Sequence, residues 1–290
     1  MDMLAVLGPT ASGKSALAMR LARERGGEII AADALMVYRG FDVGTNKPTA
    51  AEQAEIPHHL IDVCAWDEPM QAGAYAVLAE KAVREIQVRG RVPILVVGTY
   101  LYYRALRFGL LEVPAADPVL RADFAAREAA DPGWLARELE RVDHASFVEA
   151  GWGKNLQHLV RALEIFRLTG APASVLRKAH GFAKARFSAE VFGLAPDREQ
   201  LARRIDARVQ EMMDHGWIEE VRSLLASGVP IDARPMQAVG YRDLARALTA
   251  GTDPRACLPE IQAQTRQYAR RQRSFFKQEK EVTWKEGFGT

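Results

Sequence analysis

The run Gly8-Pro9-Thr10-Ala11-Ser12-Gly13-Lys14-Ser15 fits G-x-x-x-x-G-K-[ST] and directly follows the apolar stretch Met3 to Leu7. Glycines at its two ends let successive backbone N–H groups turn inward on an oligophosphate, and the helix that follows aims its positive end at the same place. Gly8, Thr10, Ala11, Ser12 and Gly13 would form the cradle, Lys14 would reach the terminal phosphates, and Ser15 would hold Mg²⁺. The motif alone leaves open which diphosphate or triphosphate is held, and its competing reading is a glycine-rich turn with no ligand.

Asp33 follows the strand-like run Glu28 to Ala32, so its carboxylate lands at a strand's C-terminal end, where open α/β sheets bind ligands. A carboxylate there can equally cap the loop that follows. The β-branched run Val92 to Val97 ends in Gly98-Thr99, where an ordinary P-loop ATPase carries a metal-organising Asp. That difference counts against plain nucleotide hydrolysis. Thr99 offers a neutral hydroxyl to the same pocket, or an N-cap to the helix starting at Tyr100.

Arg204 and Arg208 stand one helical turn apart and suit clamping phosphate oxygens; pairing with Asp206 or Glu211 is the alternative. Residues 266–280 hold Arg266, Arg270, Arg271, Arg273, Lys277 and Lys280 against one acid, Glu279, with aromatic residues interleaved. This is the footprint of a phosphate-backbone contact, although a solvated basic helix face has the same composition.

The elements that must position these residues read as a P-loop NTPase-like α/β core, a parallel sheet flanked by helices, plus an all-helical insertion. The core is expected over 1–112 and 189–290, with strands near 3–7, 28–32, 56–63, 92–97 and 190–194. Helical segments are expected at 70–89 and 254–279, and a helix with the apolar stripe Leu201, Ile205, Val209 and Met212 follows residue 194. The insertion, 113–188, is expected to hold helices at 117–130, 132–141 and 155–169. In the last of these Gln157, His158 and Arg161 lie off the apolar stripe. Residues 235–241 read as a shaped loop.

With 290 residues, 48% hydrophobic and 26% charged, the chain can bury a sizeable core, and disorder is excluded. A net charge of +2 says little about nucleic acid, so any basic patch must be local. Cys64 and Cys257 lack C-x-x-C spacing and fit a reducing cytosol. The six histidines show no zinc spacing, no apolar run reaches about 18 residues, and the N-terminus is already a strand. These features predict a cytoplasmic protein with no membrane association.

Taken in order, the motifs resemble the tRNA dimethylallyltransferase family in its bacterial form. The match is carried by residues 8–15, Asp33 with Val37-Tyr38-Arg39-Gly40, Asp42-Val43-Gly44-Thr45-Asn46-Lys47-Pro48, and Pro57-His58-His59-Leu60. It continues through Gly98-Thr99 before Leu101-Tyr102, Arg161-Ala162-Leu163-Glu164, Val239-Gly240-Tyr241-Arg242, Thr265-Arg266-Gln267 and Arg270-Arg271-Gln272.

The resemblance implies that the P-loop holds dimethylallyl diphosphate and that the allylic group passes to N6 of adenosine 37 in tRNA. By it Asp33 accepts the amino proton, Thr99 positions the base, and Arg208 binds the diphosphate beside Lys14 and Ser15, with Mg²⁺ as cofactor. The tRNA contacts it implies are Asp33, Ala34, Leu35, Met36, Thr99, Arg121, Gln157, His158, Arg161, Gln237, Arg266, Arg270 and Arg271. A monomer is expected. The chain departs from the family pattern at Val97 and Tyr100, where Gly-Gly-Thr-Gly is usual, at His158, where a basic residue is common, and at Gln237, where Arg is usual. Rival readings are a prenyltransferase acting on free adenosine phosphates, a small-molecule kinase and a non-catalytic RNA-binding module.

Overall fold

In the computed structural model, described for residues 2–152, 154–182 and 184–287, four mainly apolar runs and a short His-His strand build one parallel sheet. They are β1 (Met3–Leu7), β2 (Gly27–Ala32), β3 (His58–His59), β4 (Val92–Val97) and β5 (Ala189–Ala195). A sixth strand, β6 (Thr283–Glu286), completes the order β3-β2-β4-β1-β5-β6. β1, β2 and β4 carry almost unbroken apolar side chains because helices cover both faces of the sheet.

Registers Leu7↔Val97 and Ala32↔Val97 bring the ends of β1, β2 and β4 level. Residues 8, 33 and 98 therefore leave the sheet at one edge, and the loops that carry candidate chemistry begin together.

Helix α1 (Lys14–Arg25) follows the phosphate loop and stops at Gly26, whose left-handed φ of 63° suits glycine. The short α2 (Ala50–Glu55) starts at a capping box in which Thr49 and Glu52 satisfy each other's backbone N–H. Beside the sheet pack α3 (Ala72–Val88) and α4 (Tyr100–Phe108), stacked through Tyr75 and Tyr102 with ring centroids 4.1 Å apart.

Leu110–Lys184 forms a separate compact unit, and the remainder of the chain forms the other. Among the described residues the smaller unit holds five helices: α5 (Pro118–Ala130), α6 (Trp134–Val142), α7 (His144–Glu149), α8 (Leu156–Thr169) and α9 (Ala173–His180). Its own core is built around Phe124, Leu139, Leu159 and Leu163. The larger unit continues from β5 into α10 (Arg198–Asp214), α11 (Trp217–Ala226), α12 (Tyr241–Ala250) and α13 (Leu258–Phe276).

Several local expectations change. β3 spans two residues instead of eight, because Leu60 and Asp62 adopt left-handed φ of 63° and 56° and break the strand. In α10 the buried stripe ends on Met213, not Met212. The expected helix at 254–279 opens with a 3₁₀ turn, Pro254–Cys257, before α13 begins. β6 gave no apolar signal, since all four of its residues are exposed.

Candidate active site

The phosphate loop turns on Gly13 at φ 86° and Ala11 at φ 60°; only the first is free of side-chain strain. The first helical bond of α1 runs from Leu17 N–H to Gly13 C=O, so the N–H groups of Lys14, Ser15 and Ala16 precede the ladder and stay available to an anion. Gly8 must lack a side chain: a Cβ there would lie 2.5 Å from Ser12 Oγ and 3.2 Å from Leu194. Ser12 Oγ is itself buried with no hydrogen-bond partner among the described residues.

Asp33 does two things at once. Its Oδ1 accepts the N–H of Leu35 at 2.9 Å and of Met36 at 3.4 Å, which folds the Ala34-Leu35-Met36 turn. The other oxygen faces Gly98, where a Cβ would sit 2.3 Å from it. Thr99 stands at the N-cap of α4 but does not cap it with its side chain. Its Oγ1 instead accepts the Ala34 N–H at 2.9 Å, which leaves the hydroxyl proton for another acceptor.

These groups line a cavity of about 740 Å³. Thr10 through Ser15, Asp33 through Met36, Thr99, Arg208 and Gln237 all border it, and so does Arg204. Burial, then the nearby Arg208, pulls the Lys14 ammonium down to about 8, against the opposing pull of Asp33. Burial also lowers Arg208, whose Nε is buried without a hydrogen-bond partner among the described residues. Two poorly solvated cations thus face Asp33, with Glu211 also acting on Arg208. Such a site is short of negative charge and complementary to an oligophosphate.

A family model for IPP transferases matches residues 36–279. The chain belongs to the IPP transferase family. It is 43% identical to "tRNA dimethylallyltransferase 1" of Trichlorobacter lovleyi over 97% of this chain and 92% of that one. It is 44% identical to the tRNA dimethylallyltransferase of Anaeromyxobacter dehalogenans strain 2CP-C over 98% and 94%. The crystal structure of the full-length tRNA isopentenylpyrophosphate transferase from Bacillus halodurans superposes with a TM-score of 0.72 at 32% identity, covering 99% of this chain and 90% of that one.

In this member of the family several residues to which sequence reasoning gave no individual role build the cavity wall. Thr265, Tyr268 and Gln272, at i, i+3 and i+7 on α13, all border it. Their spacing was the available signal, overshadowed by the arginines between them. The loop after Gly40 is held from outside: the Glu220 carboxylate accepts the N–H groups of Asp42 at 2.8 Å, Val43 at 2.6 Å and Gly44 at 3.4 Å, and the Tyr241 hydroxyl at 2.5 Å. Lys47, its side chain 5% exposed, ties the same loop to Tyr38 C=O, Asp42 and Asp62.

The basic segment of this family member is cleaner than its composition suggests. Glu279, its single acid, is buried against Arg107 at 2.7 Å and accepts the Tyr100 hydroxyl at 3.3 Å. Tyr100, where the family usually has glycine, therefore anchors the segment after α13, and burial followed by Glu279 pushes its phenol up to about 12. Arg266 pairs with Asp206, whereas Arg270 and Arg271 are exposed.

In the helical unit Arg121 and Arg161 converge on Glu164. Arg121 donates to both carboxylate oxygens at 2.7 and 2.9 Å, Arg161 donates to the same carboxylate and to Pro114 C=O, and Asp117 N–H adds a bond at 2.9 Å. Burial alone would raise the Glu164 carboxyl, but these donors hold it down at about 2. Gln157 and His158 lie exposed on the first turn of α8. The two partly exposed arginines are partners of a buried carboxylate before they are anything else.

Proposed function

We propose that this chain transfers the dimethylallyl group of dimethylallyl diphosphate to N6 of adenosine 37 in the tRNA anticodon loop and releases pyrophosphate. The observation that carries this reading is the meeting, in one cavity, of a phosphate cradle with Asp33 at the end of β2 and Thr99 after β4, whose end has no Walker-B acid.

The adenine amino group is a poor nucleophile, because its lone pair is delocalised into the ring. Asp33 accepts its proton as the new C–N bond forms, a role worth about 10²- to 10⁴-fold in rate. The Thr99 hydroxyl, its oxygen already engaged by Ala34, donates to the base and orients it. Lys14, Arg208 and the free N–H groups at the start of α1 stabilise the charge that collects on the leaving diphosphate. Since the target atom belongs to a base, the nucleotide is turned out of its stack to reach the cavity.

Among the described residues no group of three His, Cys, Asp or Glu side chains could cage a metal ion. Magnesium fits the alternative that the P-loop offers, in which Ser15 and the diphosphate oxygens supply hard ligands and waters complete the shell. When bound it would offset charge on the diphosphate.

Gln157 and His158, the Gln237 loop, and Arg266, Arg270 and Arg271 supply contacts to tRNA, with Arg121 and Arg161 held in position by Glu164. No helix among the described residues is long and apolar enough to cross a membrane. A tRNA substrate places the work in the cytoplasm, and one chain supplies every group the reaction requires, so a monomer suffices.

Incubation with dimethylallyl diphosphate and either unmodified tRNA or AMP tests the reading. Mass spectrometry should detect N6-dimethylallyladenosine in the tRNA digest. Turnover of AMP with none of tRNA would replace it with a free-nucleotide prenyltransferase.

A further inference from the structure

Beyond Leu7 and Val97 the ladder between β1 and β4 ends, and both chains leave the sheet: one as the phosphate loop, the other as Gly98-Thr99. A side chain from far along the sequence closes the gap. Gln272 of α13 is 5% exposed, its Nε2 donates to Gly98 C=O at 2.8 Å, and its Oε1 accepts Thr10 N–H at 2.8 Å. One bond needs a donor and the other an acceptor, so the two partners fix the orientation of the amide. The side chain stands in for a rung of the missing ladder.

What it fastens matters for the chemistry. Gly98 lies against Asp33, and the N–H groups of Gly98 and Thr99 both bond Ala32 C=O, the residue before Asp33. Thr10 is the second residue of the turn closed by Ser12 N–H on Pro9 C=O, and Lys14 and Ser15 follow. Both bonds of the amide run to the backbone of the two loops it joins.

We propose that Gln272 is a positioning residue: it sets the separation between the diphosphate cradle and the Asp33–Thr99 end of the cavity, and so the approach of allylic carbon to acceptor nitrogen. The inference rests on the prenyl-transfer reading. Transfer between two bound groups is steep in their separation, and diphosphate binding also depends on the cradle that Gln272 holds at Thr10, whereas tRNA binding does not. A loosened fastening therefore lets water capture the allylic group, giving dimethylallyl alcohol and pyrophosphate in place of prenylated RNA.

Two variants test this. Gln272→Met keeps the length and removes both bonds; Gln272→Glu keeps the acceptor for Thr10 and sets an oxygen against Gly98 C=O. For each, the ratio of dimethylallyl alcohol to prenylated tRNA is measured beside kcat, the KM for tRNA and thermal unfolding. The affinity for inorganic pyrophosphate with magnesium is measured by calorimetry without tRNA.

The expected result is kcat at least tenfold lower, a tRNA KM within threefold, an alcohol-to-product ratio at least fivefold higher, and pyrophosphate affinity weakened at least threefold. An unchanged ratio together with unchanged pyrophosphate affinity overturns the proposal, even if kcat falls, because a merely structural role lowers activity without misdirecting it. If Gln272→Met gives no cooperative unfolding transition, Gln272→Glu decides by the same two readouts. A wild-type protein that binds pyrophosphate but prenylates no tRNA refutes the transfer reading itself, whereas a transferring wild type matched by both variants refutes the role of Gln272 alone.

Discussion

Asp33 and Gly98 touch across the ends of two neighbouring strands, so closely that a Cβ on Gly98 would stand 2.3 Å from Asp33 Oδ2. The position therefore demands glycine for space alone. Gly98→Ala should push the carboxylate off its place and lower kcat for prenyl transfer about a hundredfold, by misplacement of the base. The affinity for tRNA, measured by filter binding, should stay within threefold.

Asp33→Asn separates the two roles of the carboxylate. An amide oxygen can still accept the N–H groups of Leu35 and Met36, so the turn survives and unfolding temperature should change little. The amide cannot take a proton. Single-turnover transfer should fall about 10³-fold, and a variant retaining more than a tenth of wild-type rate would show that another group is the base.

What the sequence made legible follows from how local each feature is. Residues 8–15 declare themselves because loop, glycines and helix start are contiguous, and Asp33 and Thr99 because a strand end needs only its own strand to be read. The roles of Gln272 and Glu220 stayed hidden, since their partners lie 262 and 178 residues away in Thr10 and Asp42. Arg121 and Arg161 looked like free basic residues because nothing in the spacing shows that Glu164 is buried between them. β6 was invisible for the opposite reason: an exposed edge strand carries no apolar pattern.

Lys14 gives the site a pH dependence of defined sign. With the cavity empty its ammonium titrates at about 8, below its ordinary value. The charge that attracts diphosphate is present below that pH and is lost above it. The ratio of kcat/KM for dimethylallyl diphosphate between wild type and Lys14→Arg should therefore fall as pH rises through 8, with the titration of the substrate cancelling between the two. Stability runs the other way: the folded value lies below the unfolded one, so the buried charge destabilises the empty protein fully below pH 8, and that cost fades between 8 and 10.5. Lys14→Met should thus melt higher than wild type at pH 7 without ligand, and the advantage should shrink above pH 8.

The loop beside the diphosphate end is held by Glu220 as well as by Lys47. Glu220 satisfies three successive N–H groups, and Trp217 fills the space against Gly44 and Gly240, where a Cβ on either would approach its ring to 2.0 Å. Glu220→Ala leaves those N–H groups and the Tyr241 hydroxyl without an acceptor, at a cost of about 2 kcal/mol. The melting temperature should drop by roughly 4–8 °C. Since Gly44, Thr45 and Asn46 border the cavity, the KM for dimethylallyl diphosphate should rise with little change in the KM for tRNA.

Glu164 makes the helical unit sensitive to acid. Its folded value of about 2 lies below the unfolded 4.5, so its contribution is complete above pH 4.5 and is lost as pH falls toward 2. Glu164→Gln removes the charge that Arg121 and Arg161 share, and with those arginines partly exposed the loss should be about 2 kcal/mol at pH 7, less than for a fully buried pair. Amide exchange should accelerate across 110–184 far more than in the sheet, because this unit has its own core. The same variant asks what the network is for. If Glu164 holds the two arginines in place for RNA, the KM for tRNA should rise several-fold while that for dimethylallyl diphosphate stays constant. A tRNA KM unchanged in a protein whose helical unit is demonstrably loosened would remove Arg121 and Arg161 from the RNA-contacting set and leave them as scaffold.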